Sequence, residues 1–412
     1  MKTSIIILTL NKSDLTKSCI ESIRKLTKEP YEIIVVDNGS TDDTVEYLKN
    51  QNEIRAIYND QNAGFAKGCN QGATIATGDN LLFLNNDTIV TADWLQNMLN
   101  VLKSNDLIGM VGPVSNSCSG RQKINVSYLD LSGLDEFARE HCEKYKGIAY
   151  YSSRLVGFCL LIRKKVWDEV GPFDERFGLG NFEDDDLCLR VLEAGYLSMI
   201  VMDSFIHHFG SETFRTLNVS YFRLLEENRR KATEKWGTDI NSLLNKPQIS
   251  ISLCLVVKNS EKTLTKCLES TKGIVDEIII VDTGSTDRTK EIASQYTNRI
   301  LDFEWNNDYS AARNYSFSQA TMEYILWLDP NDSLLLADRK KLFKLKRSLD
   351  RAIDSVSMLY QCEKANSANP GYSLRRNNLI KRSKQFHWVG TENNYLNVQG
   401  TICSSDIVIT PV

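Results

Sequence analysis

The sequence predicts an α/β protein with two domains in tandem, each built on a mostly parallel β-sheet. Short apolar runs alternate with amphipathic segments, as in βαβ units. Two of these runs continue into nearly the same residues, Asp37-Asn38-Gly39-Ser40-Thr41-Asp42 and Asp282-Thr283-Gly284-Ser285-Thr286-Asp287. The length of 412 residues also exceeds what one hydrophobic core normally supports.

The first half alternates strand and helix patterns from its first residues. Apolar runs bounded by turn residues predict buried strands, and capping residues mark where helices begin. The predicted elements are strands at 4–10, 33–37, 54–58, 81–84 and 155–162, and helices at 14–27, 42–50, from Gly64 onwards, around Val166, after Glu183 and over 218–236. The pattern between 110 and 160 is weaker than elsewhere.

The second half repeats the first in a shorter form. Residues 252–259 parallel the first strand and its turn, and residues 324–329 parallel residues 81–85. A stretch containing Pro247 separates the halves. We therefore predict a domain at 1–240, a linker at 241–248 and a shortened second domain at 249–412.

Composition excludes several classes of protein. The net charge of −4 gives no general attraction to nucleic acid or to anionic membranes. Ten scattered cysteines without zinc spacing favour free thiols in a reducing compartment. The apolar run at residues 5–8 is too short for a signal peptide, and no run approaches the ~20 residues of a membrane helix. We expect a cytoplasmic protein without a membrane span or a nucleic-acid partner.

Carboxylates at strand ends form the first candidate site. Asp37 and Asp87 each follow a buried apolar strand, where open α/β sheets bind their ligands. A second carboxylate backed by the amide of Asn85 suits Mg²⁺ or Mn²⁺, which prefer oxygen ligands and substrate phosphates. A single Asp in this position is more often a loop cap, but its occurrence at two strand ends in both halves favours a binding site.

A run of four carboxylates, Glu183-Asp184-Asp185-Asp186, forms the second candidate site. A solvated helix N-terminus is the simpler interpretation, because the helix dipole favours acidic residues there. The apolar residues on both sides argue for burial instead, which raises at least one pKa and suits a general base. His207 and His208 follow a further strand and are plausible metal ligands or diphosphate partners, although a single His is more often structural.

Together these motifs make the first half resemble a family 2 glycosyltransferase with the GT-A fold. The matching segments are residues 4–11, 36–42, 64–70, 85–87 and 182–190. The resemblance implies that Asp37 binds the nucleotide base and that Asp184 is the catalytic base, with Glu183 and Asp185 as alternatives. It implies a Mn²⁺ or Mg²⁺ site at Asp87 and His208, with His207 as the alternative histidine. The other implied nucleotide-sugar contacts are Thr9, Asn11, Asn38, Gly64, Lys67, Asn70, Asn85 and Asn86.

The second half resembles a subgroup of the same family that includes peptide and protein glycosyltransferases. Its metal motif reads Asp329-Pro330-Asn331, so the metal-side carboxylate is an amide unless Asp332 substitutes, and Asn393-Asn394 stands where the subgroup usually has a His-Glu pair. An amide neither takes up a proton as a base nor offsets the charge of a cation. We therefore interpret this domain as one that binds an acceptor, a partner protein or a second copy of the chain. Its implied binding residues are Asp282, Arg313, Asn314, Asp329, Asn331 and Asp332.

The function implied by the resemblance is metal-dependent, inverting transfer of a sugar from a nucleotide donor. UDP-GlcNAc is the first expectation for the donor, and the acceptor is a protein or a surface glycan. One alternative is a bifunctional polymerase with two active sites. A second alternative is a regulatory or binding protein on a glycosyltransferase scaffold. The number of halves that bind UDP with Mn²⁺ separates the three interpretations. One binding half indicates the single transferase, two indicate the bifunctional polymerase, and none indicates the regulatory or binding protein.

Overall fold

A computed structural model of the chain describes residues 1–210, 221–361, 373–391 and 394–412. The chain divides into two compact units, Met1–Lys246 and Pro247–Val412, called here the first unit and the second unit. Each unit contains a large β-sheet with helices, which confirms the predicted α/β class.

The first unit contains a nine-stranded sheet within the described residues. The strand order is β3-β2-β1-β4-β8-β6-β9-β5, with β7 paired to β9. The strands are β1 (Thr3–Thr9), β2 (Tyr31–Asp37), β3 (Ile54–Tyr58), β4 (Asn80–Asn85), β5 (Thr88–Val90), β6 (Ile108–Ser115), β7 (Ala149–Tyr151), β8 (Cys159–Arg163) and β9 (Leu197–His208). The first four strands are parallel, and β8, which the weaker pattern predicted, joins β4 antiparallel.

The helices of the first unit fill the connections between these strands. They are α1 (Ser13–Leu26), α2 (Thr44–Lys49), α3 (Phe65–Ile75), α4 (Trp94–Lys103), α5 (Leu134–Lys144), α6 (Lys164–Val170), α7 (Glu183–Glu193), α8 (Tyr221–Trp236) and α9 (Ile240–Leu244). The segment predicted as a linker is not extended throughout, because α9 packs against α7 with its two apolar ends buried. Residues 218–220 of the predicted long helix lie outside the described residues.

The register of the central strands decides where the polar side chains lie. Apolar residues of β1, β2 and β4 are buried on both faces, as expected for parallel strands covered by helices. Thr9 pairs with Asp37, and Leu8 pairs with Asn85. The residues that end β2 and β4 therefore lie at one edge of the sheet, on either side of β1.

The second unit repeats this arrangement. Its strands are β10 (Ile251–Val257), β11 (Glu277–Asp282), β12 (Ile300–Asp302), β13 (Tyr324–Trp327), β14 (Asp332–Leu334), β15 (Ser355–Gln361), β16 (Ser373–Lys381), β17 (His387–Val389), β18 (Tyr395–Asn397) and β19 (Ile402–Pro411). Its helices are α10 (Leu264–Thr271), α11 (Thr289–Ser294), α12 (Tyr309–Ser318) and α13 (Leu336–Ser348). The main sheet has the order β12-β11-β10-β13-β16-β15-β19-β14, and β17 and β18 form a separate hairpin.

Two further expectations concern thiols and membranes. The cysteines within the described residues are free, and most of them are buried. Burial raises the pKa of the Cys19 thiol to about 12, so this side chain behaves as a small apolar group. None of the helices in the described parts of the chain combines the length and apolar character that crossing a bilayer requires.

Candidate active site

A cavity of about 650 Å³ opens at the carboxyl edge of the first unit's sheet. Most of the side chains that the sequence singled out converge on it. Those that line it are Thr9, Asn38, Asn85, Asn86, Asp87, Glu183, Asp184, Asp185 and His208. Residues from β1, β2, β4, α7 and β9 thus meet in one place, as expected for ligand binding at the strand ends of an open α/β sheet.

Asp37 lies beside this cavity with an incomplete set of hydrogen bonds. Its Oδ2 accepts bonds from the amides of Gly39 and Ser40, at 3.3 and 3.1 Å. The turn requires Gly39 at φ +86°, a conformation that favours glycine. The Oδ1 atom is buried and has no hydrogen-bond partner among the described residues. A buried carboxylate oxygen without a partner is costly, and a donor on a bound ligand is one explanation for it.

Asp87 and His208 form a buried pair at the other side of the edge. His208 Nε2 lies 3.2 Å from Asp87 Oδ1 and 3.5 Å from the Asn85 side-chain nitrogen. The opposite ring nitrogen, Nδ1, lies 2.5 Å from the carbonyl oxygen of Ser117. A carbonyl only accepts, so Nδ1 carries hydrogen and Nε2 is the nitrogen directed at Asp87.

The negative charge of Asp87 favours positive charge at this pair, which either a proton on His208 or a cation in its place supplies. Burial by itself lowers the pKa of His208, but the hydrogen bond to Asp87 and the charge of Asp87 outweigh burial and raise it. No group of three or more His, Cys, Asp or Glu side chains suited to a metal ion occurs among the described residues. One carboxylate and one imidazole leave most coordination positions to other ligands. This donor set fits Mg²⁺ or Mn²⁺ held jointly with substrate phosphates.

The acidic run lies at the N-terminus of α7, where the helix dipole favours negative charge. Asp184 accepts hydrogen bonds from the amides of Gly157 and Asp185, at 2.8 and 2.9 Å. Glu183 is almost completely buried, and burial together with the charge of Asp184 raises its pKa well above the usual range. Glu183 therefore tends to keep its proton, whereas both oxygens of Asp184 accept hydrogen bonds from backbone amides.

Asp185 is held by a residue that the sequence did not single out. Arg154 Nε donates a 2.5 Å bond to Asp185 Oδ1, and Arg154 also donates to Ser119. Burial and the charge of Asp184 raise the pKa of Asp185 to about 7, although Arg154 acts in the opposite direction. The ion pair occupies one of the oxygens of Asp185. Both carboxylates line the cavity, so the assignment of Asp184 as the base stays a prediction.

Six predicted contact residues are not among the described residues that line the cavity: Asn11, Asp37, Gly64, Lys67, Asn70 and His207. Lys67 is exposed on α3. Asn70 holds a different segment, because its side chain both donates to and accepts from the backbone of Phe173. His207 pairs through Nδ1 with the hydroxyl of Tyr128, at 2.6 Å.

Two of these six residues shape the site through the backbone. The side chain of Asn11 accepts a 2.7 Å bond from the amide of Thr41 and so fixes the turn after Asp37. Gly64 has φ +89°, and a Cβ there would lie 2.2 Å from the carbonyl oxygen of Gly178. The glycine is needed for this close approach. It brings the start of α3 against the loop that precedes α7.

Helix α8 supplies a further part of the site that sequence patterns missed. Its Tyr221 and Leu225 line the cavity. Its fully buried Asn228 donates to the carbonyl oxygens of Phe177 and Gly180, at 2.7 and 2.8 Å, and to that of Asn181 at 3.3 Å. An amphipathic pattern predicts a helix here, but a single Asn within an Arg- and Glu-rich segment gives no signal of such a contact.

The corresponding edge of the second unit is built differently. Asp282 is buried at the end of β11, and Asn314 exchanges two hydrogen bonds with the backbone of Trp388. Arg313 donates to Asp329 at 2.8 Å. Burial raises the pKa of Asp332 to about 6. Asn331 is exposed, and Asn393, part of the predicted departure from the subgroup, lies outside the described residues.

Comparison with known proteins gives the family of both units. The profile of "Glycosyl transferase family 2" matches residues 4–171 and 252–397. An uncharacterized glycosyltransferase of Rickettsia felis is 32% identical over 391 residues, covering 80% of this chain and 61% of that protein. A TPR repeat-containing protein of Synechococcus elongatus is 44% identical over 86 residues, covering 21% of each chain. The matched parts cover only 21% to 27% of the first curated relatives.

Similarity to solved structures is weaker. The crystal structure of S. aureus TarS (residues 1–349) in complex with UDP-GlcNAc has a TM-score of 0.42 and 20% identity to this chain. The superposition covers 58% of this chain and 68% of that one.

Proposed function

The chain belongs to glycosyl transferase family 2, and we propose that its first unit transfers a sugar from a nucleoside diphosphate donor to an acceptor with inversion. The observation that carries this proposal is the convergence of Asp87, His208 and Asp184 on one cavity, beside the incompletely bonded Asp37. A donor site, a cation site and a base are the three parts that such a transfer needs.

Each part of the cavity has a role in the proposed reaction. Asp37 and Asn38 bind the nucleoside, and Asp184 removes the proton from the acceptor nucleophile as it attacks the sugar. The neighbouring Glu183 keeps its proton and so adds no negative charge of its own beside the base. Phe182 and Asn181, at the entrance of α7, both have φ +75° and fix the direction of its first residues.

A divalent cation fits the pair formed by Asp87 and His208. The proposed ion, Mn²⁺ or Mg²⁺, supplies positive charge to offset the charge of the leaving nucleoside diphosphate. Asp87, His208 and the phosphates would hold it together. We expect metal binding to be strong only when nucleotide is present, because the protein offers few ligands by itself.

The proposal also names a donor and a class of acceptor. UDP-GlcNAc is the first donor to test, and the acceptor is a protein side chain or a growing surface glycan. The second unit is proposed to bind rather than to catalyse, because Asn331 replaces the metal-side carboxylate. Its ligand on this proposal is the acceptor, a partner protein or another copy of the chain.

The direct test is a screen of nucleotide sugars for hydrolysis, with and without Mn²⁺, followed by the Asp184→Asn variant. Loss of a general base typically costs about 10²–10⁴-fold in rate, so turnover should fall by that factor. Donor affinity should change little, because Asp184 contacts the acceptor side of the reaction in this scheme. Turnover is measured by release of nucleoside diphosphate, and affinity by calorimetry.

Glu183→Gln and Asp185→Asn on the same helix are the matched comparisons. Asp185→Asn removes a neighbouring carboxylate and Glu183→Gln replaces a protonated one, so a general effect of altering the acidic run would lower turnover equally in all three variants. Undiminished transfer by Asp184→Asn contradicts the assignment of the base. Failure of every nucleotide sugar to bind contradicts the proposed function itself.

A further inference from the structure

The carboxylate turn at the nucleoside side of the site is preserved in the second unit, although Thr283 replaces Asn38. Asp282 Oδ1 accepts bonds from the amides of Gly284 and Ser285, at 2.9 and 2.8 Å, as Asp37 does in the first unit. Its Oδ2, like one oxygen of Asp37, is buried without a hydrogen-bond partner among the described residues. A buried carboxylate oxygen without a partner, which is energetically costly, is thus present at the end of both β2 and β11.

The turn around this carboxylate is also the same. Asn259 accepts a 2.8 Å bond from the amide of Thr286, and its own amide donates to Ser285 Oγ at 2.9 Å. Asn11 makes the equivalent bonds with Thr41 and Ser40. Both turns therefore hold the unpartnered carboxylate oxygen, of Asp37 or of Asp282, with the same set of backbone hydrogen bonds.

The metal side, in contrast, keeps neither counterpart of Asp87 and His208, and the nearby buried Asp332 accepts a bond from the amide of Asp329 through Oδ2. Buried cysteines at equivalent helix positions donate to the carbonyls of Asn85 and Asp329, so these two residues correspond. Asn331 then stands in the place of Asp87, and it is exposed. In β5, Thr88 pairs with His208, whereas in β14 the equivalent Asp332 pairs with Pro411. Proline offers no side-chain ligand.

Positive charge reaches this edge from side chains instead. Arg313 Nη2 lies 2.8 Å from Asp329 Oδ1, and Arg376 Nη1 lies 3.7 Å from Asp329 Oδ2. Two guanidinium groups thus share one partly exposed carboxylate. Asp329 is already neutralised and gains little from a cation.

Aromatic rings hold both guanidinium groups in place. Arg313 lies 4.2 Å from the ring centre of Trp388, and Arg376 lies 3.5 Å from that of Tyr360. Arg313 also donates to Asn394 at 2.9 Å. A guanidinium stacked in this way keeps donors in a fixed plane, which suits recognition of phosphate oxygens.

From these contacts we propose that the second unit binds a nucleoside diphosphate without a divalent cation, with Arg313 and Arg376 supplying the positive charge. The ligand is recognised on one side by Asp282 and on the other by the two guanidinium groups. The inference names a nucleoside diphosphate as the ligand of the second unit, in place of the acceptor, partner protein or second copy proposed above. It rests on the proposed function only for the contrast with a metal-dependent first unit.

The test is equilibrium binding to the full chain, with UDP, GDP and dTDP as probes, in Mn²⁺ and in EDTA. We expect two nucleotides per chain in Mn²⁺ and one in EDTA, with a single bound Mn²⁺ per chain by electron paramagnetic resonance. Asp87→Asn should remove the Mn²⁺-dependent site alone. Asp282→Asn, which retains the oxygen that accepts from Gly284 and Ser285, should remove the EDTA-resistant site alone.

The arginines are tested with a matched control. Arg313→Met or Arg376→Met should weaken binding in EDTA by about tenfold or more, the effect of losing hydrogen bonds to a charged group. Arg375→Met, the exposed neighbour on the same strand, should leave this binding unchanged. Absence of nucleotide binding in EDTA, or two bound Mn²⁺ ions, overturns the inference and leaves the proposed function standing. Absence of Mn²⁺-dependent binding contradicts the proposed function instead.

Discussion

At the scale of single residues, two adjacent histidines have different surroundings. Strand β9 alternates its side chains, so His208 meets Asp87 whereas His207 meets the hydroxyl of Tyr128. Burial and the charge of His208 lower the pKa of His207, whereas the pKa of His208 is raised through Asp87. Of these two histidines, His208 is the one that faces a carboxylate at the cavity.

The histidine pair allows a controlled test of the proposed metal site. His208→Ala is expected to weaken Mn²⁺ binding in the presence of UDP by about tenfold or more, since it removes a ligand. The measurement is the free Mn²⁺ signal in electron paramagnetic resonance. His207→Ala removes the same ring one position away and should leave Mn²⁺ affinity unchanged. Equal losses in both variants would contradict the assignment.

Asp185 gives a prediction about pH. Its folded pKa of about 7 lies above the value of about 3.9 in an unfolded chain, so folding binds a proton between these values. The stability that this group contributes is complete below about pH 4 and is lost as the pH rises through about 7. The side chain in Asp185→Asn cannot ionise, so this variant does not lose stability at this position as the pH rises.

Thermal unfolding at several pH values measures this effect. The melting temperature of Asp185→Asn relative to the parent protein should rise as the pH increases from about 5 to about 8. The charge of Arg154, unpaired in the variant, shifts the difference but not its direction with pH. Asp14→Asn, at a fully exposed side chain, is the control and should show no such trend. A constant difference for Asp185→Asn refutes the prediction.

At the scale of elements, the base depends on how α7 is anchored. Asp186 is fully buried and is bound by Arg190 of α7 and by Lys235 and Trp236 of α8. The amide of Asn228 ties α8 to the loop that precedes α7. Helix α8 therefore fixes both sides of the acidic run without contributing a carboxylate of its own.

This anchoring predicts the behaviour of Asn228→Asp. The variant keeps the shape of the side chain but replaces the amide donor with an oxygen that faces carbonyl oxygens. We expect a loss of at least about 1–3 kcal/mol of stability, and a larger fall in turnover than in donor affinity. Urea unfolding and steady-state kinetics measure the two effects.

Glu226→Ala, on the exposed side of the same helix, is the control for the positioning role of Asn228. It removes a surface charge without touching the loop, so both stability and turnover should stay close to those of the parent protein. If Asn228→Asp lowered stability but left turnover per folded molecule intact, the helix would support the fold and not the position of the base.

At the scale of the whole molecule, each unit has its own sheet and its own core. Separate cores favour separate unfolding transitions. Calorimetry of the full chain should show two transitions, and Mn²⁺ added together with UDP should raise the midpoint of the first unit more than UDP alone does. At about 100 times the dissociation constant the gain in stability is about 2.7 kcal/mol.

The Asp87→Asn variant identifies which transition belongs to the first unit. In this variant the additional stabilisation by Mn²⁺ should disappear from that transition and from no other. One cooperative transition that shifts as a whole, or a Mn²⁺ effect that survives in Asp87→Asn, would contradict this view of two separately responding units.

The amino-acid sequence was sufficient for the α/β class, the repeated plan and much of the candidate site. Apolar runs bounded by turns determine buried parallel strands locally, and a polar residue after such a run must lie at the sheet edge. The positions of Asp37, Asn85 and Asp87 follow from this rule. The acidic run of α7 stands out because apolar residues flank it.

Only the tertiary structure decided which side chains face one another. The choice between His207 and His208 depends on the register of β5 with β9, and the contacts of Arg154 and Asn228 depend on segments distant in sequence. Asn70 and Lys67 lie on the predicted helix but not in the cavity, because helix rotation sets the direction of each side chain. Local patterns carry no record of these long-range pairings, since they arise only when the sheet and its helices pack together.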